Sequence, residues 1–241
     1  MNNGKEFIEM HGYDTYDYGW RGLYSAIGRF TTIDLLAEKY YDVSPYAYCL
    51  NNPVKYIDPD GRVPRIYVET QGLGHTFITT GEGKNTTVYT YGRYGNVNKS
   101  SSGGLSMNGE GVLIIMKGQE ALNYIQNEYK NQRASIYELQ VGEDAKVDAF
   151  FNETFEASNQ KPSRGYYKDS DNARVIDTYD LLDNNCTTKT SEAVKIATDG
   201  KLDLQSKSPA NAVLKLQEAA KQADEEVKQI QLNTILDEYE K

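Results

Sequence analysis

The sequence is poor in the residues that most often announce a chemistry. It has two cysteines and two histidines in 241 residues. Two cysteines in so long a chain do not make a disulfide framework. No HExxH or CxxC occurs, and the remaining His and Cys are too few and too far apart to complete a zinc set, so no metal and no cofactor are expected. No window approaches the 18 apolar residues of a membrane-spanning helix; Val112 to Met116 is among the longest apolar runs. The N-terminus, MNNGKEFIEM, lacks the apolar stretch of a Sec-type signal. Basic clusters are absent too. The net charge is -9, which argues against the cationic face that a nucleic-acid binder needs, and nucleic acid is not a favoured partner. It also gives no support to electrostatic attachment to a membrane surface. No repeat of fixed period appears after residue 62.

Tyrosine, by contrast, is abundant and unevenly spread. Nine of the 20 tyrosines fall in the first 62 residues. That density suits short aromatic strands rather than helices. The remainder alternates strand and helix patterns. Arg65 to Thr70, Gly74 to Thr80 and Thr86 to Gly92 read as three strands, with GEGKN as a turn. Gly95 to Gly111 reads as a Ser/Gly/Asn-rich mobile loop, and Val112 to Lys117 as a buried strand. Leu122, Ile125 and Tyr129 recur at helical spacing within Gly118 to Gln132. Ile136 to Val141 alternates, Glu143 to Ala157 is helical, and Ser158 to Arg174 is polar enough for a loop. A helix begins near Cys186 and runs to Thr198, and residues 203–241 form a helical tail. The class is α+β, with a mostly antiparallel sheet and packed helices. Two parts are expected: residues 1–62, and a domain at 63–241.

One constellation in the second part suggests chemistry. After Arg62, His75 is the only histidine and Cys186 the only cysteine. His75 lies in the strand-like GHTFI. Cys186 follows DNN, where Asp183, Asn184 or Asn185 can cap a helix. A cysteine in a first helical turn meets unpaired N–H groups and the positive end of the dipole, which lower a thiol pKa. A neighbouring imidazole can take its proton, and the same N–H groups can receive an oxyanion. The bland reading is a partly buried His and a small core Cys. Asn184 and Asn185 are simple caps on that reading, and one of them an oxyanion donor on the other. Cys49 reads as a structural thiol.

Two resemblances extend this. Residues 13 to 62, ending in PVKYIDPDGR, resemble the end of an Rhs-repeat-associated core domain. That resemblance implies that residues 63–241 are a variable C-terminal effector toxin of interbacterial competition. It further implies a shell and secretion machinery (type VI secretion among the candidates) and a cognate immunity protein as partners. Asp34 and Asp58 match the two aspartates of the family's self-cleavage element. The first stands in DL rather than the usual DP, and about 62 residues cannot build the enclosing shell, so both are expected to be inert turn residues.

The order His75 then Cys186, 111 residues apart, is similar to that of circularly permuted papain-like hydrolases, including NlpC-type cell-wall peptidases. That resemblance implies Cys186 as nucleophile, His75 as base and a third polar residue orienting the imidazole. The strand after the histidine offers Tyr89, Tyr91 and Arg93 but no His, Asp or Glu, and Tyr91 is the expected orienting residue. The expected activity is hydrolysis of peptidoglycan peptide bonds in the target-cell envelope. Lipid acyl hydrolysis or transfer by the same fold, a nuclease with Cys186 structural, and a noncatalytic binding module stay open.

Overall fold

The computed structural model describes residues 6–9, 14–18, 21–33, 44–48, 63–94, 108–131, 134–222 and 226–240. The chain divides into two compact units, Met1–Arg62 and Val63–Lys241. Asp34, Cys49 and Asp58, and the expected loop at 95–107, lie outside the described residues.

The first unit holds a four-stranded antiparallel meander. Its strands are β1 (Glu6–Ile8), β2 (Thr15–Asp17), β3 (Gly22–Tyr24) and β4 (Arg29–Phe30), in that spatial order. Tyr18, Phe30 and Tyr48 pack edge to face at 5.5 to 5.7 Å between ring centroids, beside buried Leu23. Such edge-on contacts suit the ring quadrupole, and strands this short depend on them. The Tyr18 and Tyr48 hydroxyls meet at 2.8 Å, so neither is buried without a partner.

The second unit is built on one seven-stranded antiparallel sheet. The strands are β5 (Arg65–Glu69), β6 (His75–Thr80), β7 (Thr87–Gly92), β8 (Asn108–Lys117), β9 (Ala134–Leu139), β10 (Ala173–Asp180) and β11 (Val227–Ile230). Their order is β10-β8-β7-β6-β5-β9-β11. Five helices among the described residues are α1 (Gly118–Asn131), α2 (Asp144–Glu156), α3 (Cys186–Ala197), α4 (Pro209–Ala219) and α5 (Leu232–Glu240).

Period-two alternation gives the sheet two apolar faces. Ile66, Val68, Ile78, Tyr89, Tyr91 and Leu113 meet the apolar sides of α2, α3 and α4. Tyr67, Phe77, Val88, Ile114 and Met116 meet α1 and α5. Both faces are covered, so the central strands are buried throughout, as β5 and β6 are at every residue.

Three elements differ from the sequence reading. Asn108 to Gly111 belongs to β8, because its partner β10 lends it a full ladder despite the two glycines. Strand β10 itself was hidden: a bulge between Val175 and Asp177 breaks its alternation. The tail at 203–241 is not helical throughout. Val227–Ile230 pairs with β9 as the sheet's edge strand, and a four-residue strand is too short to show a period. A buried ion cluster fastens the last helix down: Arg65 on β5 contacts Glu138 of β9 at 3.1 Å, Glu82 at 3.0 Å and Glu238 of α5 at 2.6 Å.

Candidate active site

The turn that enters β6 fixes the histidine. Gly74 has φ +71°, and a Cβ there would come within 2.5 Å of the Glu69 carbonyl and 2.9 Å of Pro209. Only glycine accepts this conformation and this crowding. His75 follows at once. Its imidazole lies beside Phe77, with ring centroids 6.0 Å apart, and its Nε2 is 2.8 Å from Thr90 Oγ1 on the adjacent strand β7. Thr90 Oγ1 also meets the hydroxyls of Tyr94 at 2.6 Å and Tyr124 at 3.2 Å. The hydroxyl can give or accept in this contact, according to the imidazole tautomer. Burial alone pushes the His75 pKa down to about 4, so the ring is neutral near pH 7.

The start of α3 fixes the cysteine. Asn185 is the N-cap: its Oδ1 accepts from the Thr187 and Thr188 amides at 2.9 and 3.1 Å, and Thr188 Oγ1 accepts from the Asn185 amide at 2.8 Å. Such a capping box stabilises a helix by about 1 kcal/mol. Cys186 is therefore the first helical residue. The helix is pinned to β6 through Thr76, whose Oγ1 meets Thr187 Oγ1 at 3.2 Å and whose carbonyl accepts from Thr190 Oγ1 at 3.4 Å. The β6–β7 ladder ends at Ile78 opposite Tyr89. Beyond it the Thr76 amide turns to the Cys186 sulfur.

His75 and Cys186 line one cavity of about 470 Å³, together with Arg93, Tyr179, Asn185 and Lys207. The start of α4, capped by Ser208, closes one wall through Ser208, Pro209 and Asn211. The imidazole ring keeps company with Phe77 and Thr90 toward α1. The sulfur keeps company with the amides of Thr76 and Thr187 and with Tyr91 and Tyr179.

The thiol departs from expectation. Its pKa is raised, because burial withdraws water from the thiolate and outweighs the donors from Thr76 and Thr187. At neutral pH the resting pair is a thiol and a neutral imidazole.

The other residues singled out in the sequence divide clearly. Tyr91 does not orient the imidazole; its hydroxyl donates to Asp177 Oδ1 at 2.5 Å, in a space that Gly111 leaves open. Thr90, the residue before it, meets the imidazole instead. Alternation puts Thr90 and Tyr91 on opposite faces of β7, and Thr90 was overlooked because a threonine in a β-branched run reads as a strand former. Asn184 binds the Thr178 carbonyl at 2.9 Å and stabilises the turn, away from the cavity. Asn185 spends both amide hydrogens on the carbonyls of Leu181 at 2.8 Å and Lys207 at 3.0 Å, so it is a cap and not an oxyanion donor. Among the described residues no group of three or more His, Cys, Asp and Glu is placed to hold a metal, and no helix is long and apolar enough to cross a membrane.

No family model, curated protein or solved structure matches the chain.

Proposed function

We propose that residues 63–241 are a thiol hydrolase of the permuted papain-like kind, with Cys186 as nucleophile and His75 as general base. The observation that carries this reading is that the only His and only Cys of the second unit, 111 residues apart, both line one cavity; the imidazole itself is turned to the α1 face of β6, opposite Thr76 and the start of α3, and has to swing round to reach the sulfur.

The chemistry follows from the resting protonation states. Once swung off Thr90 into the cavity, the neutral imidazole takes the thiol proton as the sulfur attacks the acyl carbon. The tetrahedral oxyanion meets the Cys186 amide, which the cap leaves over after using those of Thr187 and Thr188. The imidazolium returns its proton to the leaving amine, and the carbon–nitrogen bond breaks. Water, deprotonated by the same imidazole, then hydrolyses the thioester and frees the thiol. The low His75 pKa makes the imidazolium a strong acid toward that amine.

The substrate we favour is a peptidoglycan peptide bond. The Rhs-like segment at 13–62 supports delivery as an interbacterial toxin that is neutralised by an immunity protein. Expressing the chain with and without an export signal tests both ideas. Lysis confined to the exported form, new peptide termini in purified peptidoglycan and loss of both in Cys186→Ala and His75→Ala support the reading. Undiminished killing by a folded Cys186→Ala variant overturns the thiol mechanism. Killing from the cytoplasm with degraded nucleic acid would identify a nuclease.

A further inference from the structure

The bulge in β10 puts two side chains on the face of the sheet that carries Cys186. Ala173 and Val175, two residues apart, both pack into the α1-side core, as strand alternation requires. Asp177 and Tyr179 continue the same spacing, yet Tyr179 packs into the opposite core, with α2, α3 and α4. The bulge between Val175 and Asp177 turns the strand over: its extra residue moves the side chains that follow to the other face. Asp177 then stands opposite Gly111 in the β8 ladder. A Cβ at Gly111 would strike both Tyr91 Oη and Asp177 Oδ1, so the missing side chain is the space in which these two meet. Tyr91 donates to Asp177 Oδ1 at 2.5 Å, and Asp177 Oδ2 holds Lys189 Nζ at 3.2 Å. Lys189 lies three residues after Cys186 on α3, so the two share a helix face. Its ammonium also stands 5.8 Å from the centroid of the Tyr91 ring, within cation–π range, whereas Glu192 is 4.0 Å away and more than half exposed.

Resting on the hydrolase reading above, we propose that Asp177 is a positioning residue for the nucleophile: it ties the Cys186-bearing turn of α3 to β7 and β10 and so sets the depth of the sulfur. The first turns of α3 have two anchors on the sheet. Thr76 of β6 meets Thr187 and Thr190. Asp177 holds Lys189 from β10, three strands away in the sheet order. With Thr76 alone the helix can rock about β6; a second anchor so far to one side removes that freedom. The ion pair is well suited to this task, because both side chains are less than a third exposed and solvent screens it less than a surface pair. The same carboxylate fixes the Tyr91 ring, which lies 5.8 Å from that of Tyr179, a wall of the cavity that Cys186 lines. Cys186 is 6% exposed. Releasing the turn from Asp177 lets water reach the sulfur while taking it out of line with the acyl carbon, so reactivity toward a small reagent and hydrolysis should move in opposite directions.

The test measures both rates in Asp177→Asn, Lys189→Met and Lys189→Arg, with Tm recorded on the same samples. Iodoacetamide alkylation of Cys186 is followed by mass spectrometry at pH 7, and hydrolysis by the release of new peptide termini from purified peptidoglycan. In Asp177→Asn and in Lys189→Met, alkylation should rise about fivefold and hydrolysis fall about tenfold. Lys189→Arg keeps the ion pair and should restore both rates to near the wild type. The double variant Asp177→Asn/Lys189→Met should be no worse than either single one, because both remove the same tie. A role in stability alone cannot produce opposite changes in folded protein; it lowers Tm and moves both rates only with the unfolded fraction. Should Asp177→Asn fail to fold, Lys189→Met carries the same test from the helix side. Unchanged alkylation in folded Asp177→Asn or Lys189→Met overturns the proposal, whatever happens to hydrolysis. A wild type that cleaves no peptidoglycan removes the hydrolase reading instead, and faster alkylation in the two variants would still assign Asp177 the placing of the thiol.

Discussion

His75 Nε2 and Thr90 Oγ1 stand 2.8 Å apart across neighbouring strands, and this contact holds the imidazole on the α1 face of the sheet, opposite the face that carries Cys186. The proposed hydrolysis requires the ring to leave Thr90. Thr90→Val keeps the shape and releases the ring, so hydrolysis should rise by about 2- to 10-fold, the worth of one hydrogen bond. Thr90→Ser should stay near the wild type. Thermal stability is compared in the same samples. A Thr90→Val enzyme as active as the wild type would show that the imidazole is oriented by something else.

The protonation states set the pH profile. Burial holds the His75 pKa near 4, so the base is lost only as pH falls through about 4, not 6.5. The same shift bears on stability. The unfolded chain binds the His75 proton below about 6.5 and the folded chain only below about 4, so this contribution is intact above 6.5 and is lost as pH falls between the two. The acid limb of kcat/KM should therefore lie near pH 4, where activity survives unfolding. His75→Gln should flatten the decline in stability between pH 6.5 and 4.

Cys186 gives a second pH signature. Its thiol is pushed up by burial, and the neutral imidazole lends it no charge. Alkylation by iodoacetamide should be slow at pH 7 and should rise through an inflection above the ordinary thiol value of about 8.5. His75→Ala should leave that inflection in place while abolishing hydrolysis. An inflection below pH 7 that disappears in His75→Ala would instead reveal a preformed thiolate–imidazolium pair.

On the α1 side, Glu128 is buried against the sheet with its pKa raised to about 7, first by burial and then by the negative charge of Glu69. In the unfolded chain it titrates near 4.5. Its stabilising effect is thus complete below about 4.5 and is lost as pH rises through 7. Glu128→Gln should raise the Tm by several degrees at pH 8 and change it little at pH 4.5. Equal melting curves at pH 8 would mean that the carboxylate is solvated.

How much of this could be read from the sequence depended on whether a signal was local. The cap before Cys186 was legible because DNN ahead of a helical period is a local signature, although three residues competed for the role. Asn185 won because its amide reaches Leu181 and Lys207 as well as the helix. Strands β5 to β7 were legible from alternation, and β10 was not, because its bulge cancels the period. Thr90 illustrates a deeper limit. Its role comes from the β6–β7 pairing and from Tyr94 and Tyr124, none of which a run of β-branched residues announces. The raised thiol pKa was missed for a related reason: a helix start is visible in sequence, but the desolvation of the sulfur is a property of the packed cavity.

Gly74 joins stability to the site. Its φ of +71° lies in the left-handed region, and an added Cβ would strike the Glu69 carbonyl at 2.5 Å and Pro209 at 2.9 Å. Neither neighbour can give way. Glu69 is paired with His75 in the β5–β6 ladder, and Pro209 is the first residue of α4, held by the Ser208 cap. Gly74→Ala should therefore cost about 1–3 kcal/mol through backbone strain, with the clash in addition. The relief available is a rotation of the turn, which carries His75 with it and lifts α4 from the cavity wall. The expected outcome is a lowered Tm together with a loss of hydrolysis larger than the unfolded fraction explains at a temperature where the variant is still folded. A control at Gly72, with φ +63° and nothing within 4 Å of its Cβ, should share the strain but not the clash. Gly72→Ala should lose stability while its folded fraction keeps full activity. If both variants lose activity only in proportion to unfolding, the β5–β6 turn supports the fold but does not position His75.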